Sequence, residues 1–299
     1  MKKIGFLSFG HWTSGAQSQA RSASDVLLQS IDLAIAAEQL GADGAFFRVH
    51  HFARQLASPF PLLAAEYDTV RVAVEGGFPP FNYLDSENQL QGFDVDVAKA
   101  LCEAAALKCE FVIQEWTGMI PNLLANKYDA IVSSMSMSAE RREKVAFSAK
   151  YYDSPSVFIV RKGSDIAGTS PDDLKDKRLG VTASTAQEAY AKKYYGNVST
   201  GVVQASPDLY KELAEGSVDI IFEDKLAVYD WLTNTKAGSC CEFKGEDIKN
   251  AEYFGDGAGI AVRPDDKDLL GKLNGALEKI QASDVYDTIN AKYFPFSIR

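Results

Sequence analysis

The 299-residue chain predicts an α/β fold, on three observations. Short runs rich in Val, Ile and Phe alternate with amphipathic helical spacings. Polar residues gather just past the ends of those runs, where open α/β sheets bind their ligands. Two kinds of text meet near Ala64–Tyr67, so the chain is expected to divide there.

The elements follow in order. Residues 3–9 (KIGFLSF) read as a strand. Residues 23–40 space Val26, Leu27, Ile31, Leu33, Ala34 and Ala37 as a helix, and GADGAFFRV reads as a glycine turn and a second strand. That is one βαβ unit, followed by a loop with Pro59 and Pro61. One such unit cannot cover its own sheet, and a (β/α)₈ barrel needs about 250 residues. The opening MKKIGFLSFGHW is broken by Gly5, Gly10 and His11, so it reads as a strand rather than a signal peptide.

Beyond residue 67, TVRVAVE (69–75) is a strand ending in an acid, followed by a Pro79-Pro80 turn. Asp94–Leu107 is expected to be a helix, CEFVIQEW a strand, Met119–Asn126 a short helix and YDAIVSS (128–134) a strand. A helix should open at Ser138 and run to Val145. SVFIV (156–160) and RLGVT (178–182) read as strands, and a further helix begins near Thr185. SVDIIF (217–222) is a strand that ends at Glu223-Asp224. Leu269, Leu270, Leu273, Leu277 and Ile280 mark a late amphipathic helix.

Composition narrows the function. With 46% hydrophobic, 24% charged and 11% aromatic residues, wholesale disorder and fibrous folds are excluded. The formal net charge is −10, and no dense basic face is visible, so nucleic acid is not an expected partner. No apolar stretch approaches the roughly 20 residues that span a bilayer. The four cysteines, Cys102, Cys109, Cys240 and Cys241, allow three pairings. Adjacent Cys240 and Cys241 would bridge only with strain, whereas Cys102 and Cys109 are better placed. Four reduced, buried thiols is the bland alternative.

The strand ends carry the chemistry. Glu75 follows the first strand of the second part, and Ser133, Ser134 and Ser136 follow DAIV. Thr182, Ser184 and Thr185 follow RLGV, and Asp224 follows DIIF. Ser138 suits an N-cap, and Arg141 three residues on places a cation in a first helical turn, against the macrodipole. An anion at that helix end makes sense of it, held by the guanidinium and by hydroxyl or N–H groups. A second helix N-terminus at Thr185 faces the same anion in this scheme. Asp224 would take an ammonium and Glu75 a more distant cation. One carboxylate, one ammonium and one side-chain cation describe a basic amino acid. Taken singly, Ser138 and Thr185 are ordinary caps, Arg141 a surface charge, Asp224 and Glu75 turn acids and Trp116 a core residue. The joint pattern is what points to a ligand.

GFDVDVAKALCEAA (92–105) resembles the signature of bacterial extracellular solute-binding proteins of family 3, which bind polar amino acids. EGGFPPFNY, YDAIVSSMSMSAERREKVAFS, LGVTASTAQEAY and EYFGDGAGIAVRPDD extend the resemblance, in order, to the end of the chain. Within that family it is similar to the lysine/arginine/ornithine-, histidine-, octopine- and nopaline-binding proteins. The resemblance implies a two-lobed type II (Venus-flytrap) fold with lobe 1 at 67–152 and 254–299 and lobe 2 at 153–253. Hinge strands are expected near 152–156 and 248–257. It further implies a ligand between the lobes, a membrane ABC permease as partner, a periplasmic location and a monomer without cofactor or catalysis.

Carried over by motif position, Arg141 would bind the α-carboxylate with Ser136 and main-chain donors near Thr185–Ala186. Asp224 and Ser134, beside Ser133, would bind the α-ammonium. Glu75 would face the side-chain end, Phe78 and Trp116 would sandwich the stem, and Gln187 with Thr182 would line the pocket. The spacing of Cys102 and Cys109 matches a disulfide of the basic amino acid binders. Two departures are visible. Ala186 stands where relatives show a hydroxyl, and Glu75 in EGGF is closer to the opine binders.

Residues 1–66 resemble instead the opening βαβ of the luciferase-like flavin monooxygenases, through IGFLSFGHW, AAEQLGADGAFFR, VHHF and SPFPLLAA. Arg48-Val49 precedes His50-His51 where those relatives have Glu, and six of eight barrel repeats are missing, so no flavin site is expected. The segment is read as a partial TIM-barrel-like fragment fused in place of a signal peptide. A flavin oxidoreductase, resting on residues 1–66 alone, and a ligand-sensing domain are the competing classes.

Overall fold

The computed structural model describes residues 69–299 and two short strands, β1 (Gly5–Ser8) and β2 (Gly44–Phe47). The chain divides into two units, Met1–Glu66 and Tyr67–Arg299. In the first unit β1 and β2 pair in parallel, Gly5 opposite Gly44 and Ser8 opposite Phe47. Parallel neighbours require a crossover connection, as the βαβ reading expects. The expected helix at 23–40, the loop with Pro59 and Pro61, and His50-His51 lie outside the described residues.

The second unit is built on two five-stranded sheets. The first has the order β7 (Cys109–Ile113), β3 (Val70–Val74), β8 (Ala130–Ile131), β15 (Ala258–Val262) and β9 (Ala146–Tyr152). Within it β3 runs parallel to β7 and β8, while β15 is antiparallel to β8 and β9. The second sheet has the order β12 (Ser199–Val203), β11 (Arg178–Thr182), β13 (Ile220–Asp224), β10 (Ser156–Arg161) and β14 (Cys241–Ile248). Here β11 is parallel to β12 and β13, and β10 is antiparallel to β13 and β14. A small antiparallel sheet, β4 (Gly77–Phe78), β5 (Asn82–Leu84) and β6 (Leu90–Gln91), follows β3. The chain crosses between the large sheets twice, after Tyr152 and after Ile248.

Strand and helix composition explains the layers. Every residue of β3 except Arg71 is buried, as a central strand covered on both faces requires. Helix Phe93–Ala104 buries Phe93, Val97, Ala98 and Leu101, and helix Lys267–Gln281 buries Leu269, Leu273, Leu277 and Ile280 beside it in one core. Phe81, Phe93, Tyr151, Tyr152, Tyr286 and Phe294 fill the same core, with ring pairs such as Phe81–Tyr152 at 4.8 Å. Gly92 caps the first of these helices with φ 125°, and a Cβ there would strike the Phe81 carbonyl.

Three expectations are corrected. The helix from Ser138 is a single turn, Ala139–Arg142, because residues from Ala146 are taken by edge strand β9. The YDAIVSS strand shrinks to Ala130–Ile131, since Ser133, Ser134 and Ser136 turn away to line a cavity. Cys240 and Cys241 are bonded to each other, with Cα atoms 3.7 Å apart. Between them the chain passes from a tight turn, Gly238–Cys240, to the extended backbone of β14, and this change of direction brings the sulfurs together. Cys102 and Cys109 are also bonded, joining a helix end to the start of β7.

Candidate functional site

One cavity in the second unit is lined by Glu75, Phe78, Trp116, Ser133, Ser134, Ser136, Arg141, Thr182, Thr185, Gln187 and Asp224. All eleven site residues predicted from the sequence therefore come together. They come from beyond the carboxyl ends of β3, β7 and β8 in one sheet and of β11 and β13 in the other, the place where α/β sheets expose their loops.

Arg141 is the buried cation of the site, only 9% exposed. Its Nη1 donates to Ser136 Oγ at 2.7 Å and to the Ser136 carbonyl at 3.0 Å, and its Nη2 donates to the Ser184 carbonyl at 3.1 Å. The guanidinium lies 5.1 Å from the Trp116 ring centre, and Trp116 Nε1 donates to the same Ser184 carbonyl. All these partners are neutral. Among the described residues no carboxylate lies within ion-pair distance of Arg141. Burial therefore pulls its pKa down to about 10. The macrodipole argument does not survive a one-turn helix, and burial without a counter-ion replaces it as the reason to expect an anion.

Opposite charge sits elsewhere in the cavity. Burial pushes Glu75 up to about 7, with help from the negative charges of Glu223 and Asp94. Among the described residues no side chain donates to its carboxylate; its backbone N–H donates to Ser133 Oγ. Asp224 is pushed up to about 6, because burial outweighs the bonds it accepts from the Leu226 and Ala227 amides. Both capping bonds land on Oδ1, so Asp224 is a helix N-cap through that oxygen, where the sequence alone offered a turn acid as the alternative.

The hydroxyls divide between scaffold and cavity. Ser134 holds φ 51° and donates from Oγ to Asp94, which also accepts from Asn82 Nδ2 and Tyr151 Oη. Committing its proton to Asp94 leaves Ser134 Oγ with acceptor capacity only, the polarity an ammonium needs. Burial pushes Asp94 up to about 6 despite these three donors. Ser138 and Thr185 are caps, accepting from the Arg141 and Glu188 amides. Thr182 donates to Glu223 and Gln187 to Ser156.

Sequence reasoning missed Tyr152, Ser154, Ser156, Ser206, Glu223 and Phe254, which line the same cavity. For Glu223 a signal was available. Ile220 and Phe222 face one core and Ile221 the other, so strand alternation puts the next acid on a buried face. The others lie on segments whose place depends on the crossover between the sheets.

The family model for bacterial extracellular solute-binding proteins, family 3, matches residues 70–296. The L-arginine-binding protein of Pseudomonas aeruginosa is 37% identical over 240 residues, 80% of this chain and 92% of that protein. The lysine/arginine/ornithine-binding periplasmic protein of Escherichia coli K12 is 37% identical over 237 residues, 79% of this chain and 91% of its own. A solved Salmonella typhimurium periplasmic binding protein of high arginine specificity superposes with TM-score 0.69 at 30% identity, covering 76% of this chain and 99% of its own.

Proposed function

Because the chain belongs to family 3 of the bacterial extracellular solute-binding proteins, we propose that residues 67–299 bind a cationic amino acid or a related opine between two lobes. The lobes are 67–152 with 254–299, and 153–253, joined by the two crossings that follow Tyr152 and Ile248. One observation carries the reading: among the described residues, a buried Arg141 without a counter-ion shares its cavity with the half-buried Glu75 and Asp224, which have no counter-ion either.

A zwitterion with a cationic side chain offers an opposite charge to Arg141, Asp224 and Glu75. Its α-carboxylate takes the Arg141 guanidinium, with Ser136 holding that side chain in place. Its α-ammonium takes Asp224 and the acceptor face of Ser134. Its side-chain cation reaches Glu75, with Phe78 and Trp116 along the stem. The two relatives named for arginine and for lysine, arginine and ornithine support this choice. In the family's setting the loaded protein works in the periplasm and delivers its ligand to a membrane ABC permease, as a monomer without catalysis. A thermal-shift screen of amino acids and opines tests the reading. A ligand at 100 times its dissociation constant should stabilise by about 2.7 kcal/mol. A screen in which no cationic amino acid or opine raises the melting temperature would sink it.

A further inference from the structure

Glu75 is not alone at its end of the cavity. Glu223, on β13 of the other sheet, lines the same space and is 3% exposed. The strand β4 that follows Glu75 packs on helix Ser206–Glu215, whose first residue is hydrogen-bonded to Glu223. The two acids come one from each sheet into the same cavity, near enough for the charge of Glu223 to act on Glu75. Glu223 is positioned by neutral donors: Ser206 Oγ at 2.9 Å and Thr182 Oγ1 at 3.3 Å on Oε2, and the Asp224 amide at 2.8 Å on Oε1. Among the described residues it has no cation partner. One turn along the same helix face from Ser206, the buried Tyr210 hydroxyl has no hydrogen-bond partner among the described residues.

We infer that Glu223 is a second specificity-determining carboxylate, facing Glu75 across the ligand's side-chain end, and that the pair selects a guanidinium over an ammonium. This deepens the functional reading above and rests on it. A planar guanidinium carries five N–H donors on separate edges and can meet carboxylates approaching from two sides. An ammonium is compact and strongly hydrated, and it satisfies one carboxylate well and the other poorly. A neutral urea of the same shape leaves both acids uncompensated in a buried place. The mutual repulsion that helps lift Glu75 to about 7 is the electrostatic trace of the same proximity.

Calorimetric titration of the intact chain with L-arginine, L-lysine and L-citrulline tests this. The unaltered protein should bind arginine at least 10-fold more tightly than lysine and 100-fold more tightly than citrulline. Glu223→Gln should weaken arginine at least 10-fold and leave citrulline within threefold. Where Glu223 only braces Ser206 and Thr182, the variant would shift all three ligands by one factor, or none, and the inference falls while arginine binding stands. An unaltered chain that binds no cationic amino acid overturns the functional reading and this inference with it. Should Glu223→Gln fail to fold, Glu223→Asp keeps the charge but withdraws it by one methylene. It should cost arginine at least threefold with citrulline unchanged, and an equal change in both would overturn the inference.

Discussion

Arg141 Nη2 donates to the carbonyl of Ser184 across 3.1 Å, and Trp116 Nε1 donates to that same oxygen. Arg141 and Trp116 belong to the side of the first sheet, and Ser184 to the side of the second. A single carbonyl thus ties the carboxylate-binding candidate to the opposite wall of the cavity. Ser184 holds φ 58°, a conformation that L side chains rarely adopt, and its own amide donates to Glu188.

Replacing Arg141 should therefore remove binding rather than tune it. Truncating one partner of a buried charge pair costs about 3–5 kcal/mol, roughly 100-fold or more in affinity. Arg141→Ala should lose at least that, and Arg141→Lys should not restore it, because a point charge cannot replace a bidentate fork on Ser136 and Ser184. Isothermal titration showing less than a fivefold change for Arg141→Ala would remove the assignment.

The acids predict a pH dependence with a definite sign. Glu75 and Glu223 are raised to about 7, and Asp224 and Asp94 to about 6, above their ordinary values of 4.5 and 3.8. A raised carboxyl pKa means that the folded empty protein holds protons that the unfolded chain gives up. The stability this contributes is present below the unfolded pKa and lost as pH rises through about 6 to 7. A cationic ligand needs the deprotonated forms, so its affinity should strengthen over the same interval, with protons released on binding. Scanning calorimetry between pH 5 and 8 should show the ligand-induced gain in melting temperature growing with pH. A gain that shrinks with pH would contradict the site's charge assignment.

How much of this was legible in the sequence differs by element. Strand β11 reads off RLGVT without adjustment, and Thr185 announces its helix, because both depend on local pattern and a local cap. The single turn at Ala139–Arg142 was overread as a longer helix, since AERREKV has good helical propensity and only tertiary pairing with β15 turns Ala146–Tyr152 into a strand. Glu223 was passed over because its partner acid Glu75 comes from a distant strand, and their proximity depends on the crossover between sheets. Cys240–Cys241 depends on one change of backbone direction that composition does not encode.

Residues 67–299 form a unit of their own, and the described lining residues of the cavity fall within it. Deleting residues 1–66 should leave the dissociation constant for the cationic ligand within threefold of the full chain. Insoluble or ligand-blind truncated protein would show that the unit boundary is misplaced.

The Cys102–Cys109 bridge closes a short loop away from the cavity. In the chain-entropy picture a loop of this size is worth about 2.5 kcal/mol, so Cys102→Ser with Cys109→Ser should unfold at lower denaturant. Its affinity should not move. Unchanged stability, or thiol mapping that finds both cysteines free in protein from an oxidising compartment, would count against the bridge.

The most direct measurement is a competition titration of the intact chain with L-arginine, L-glutamine and L-leucine, repeated on Glu75→Gln. An unpaired carboxylate in a buried cavity is costly, so ligands without a distal cation should bind badly. Arginine should win by at least 100-fold, and Glu75→Gln should erode that margin at least 10-fold while improving the relative standing of glutamine. Leucine binding as tightly as arginine, with Glu75→Gln silent, would leave the two-sheet fold standing and contradict the cationic-ligand claim.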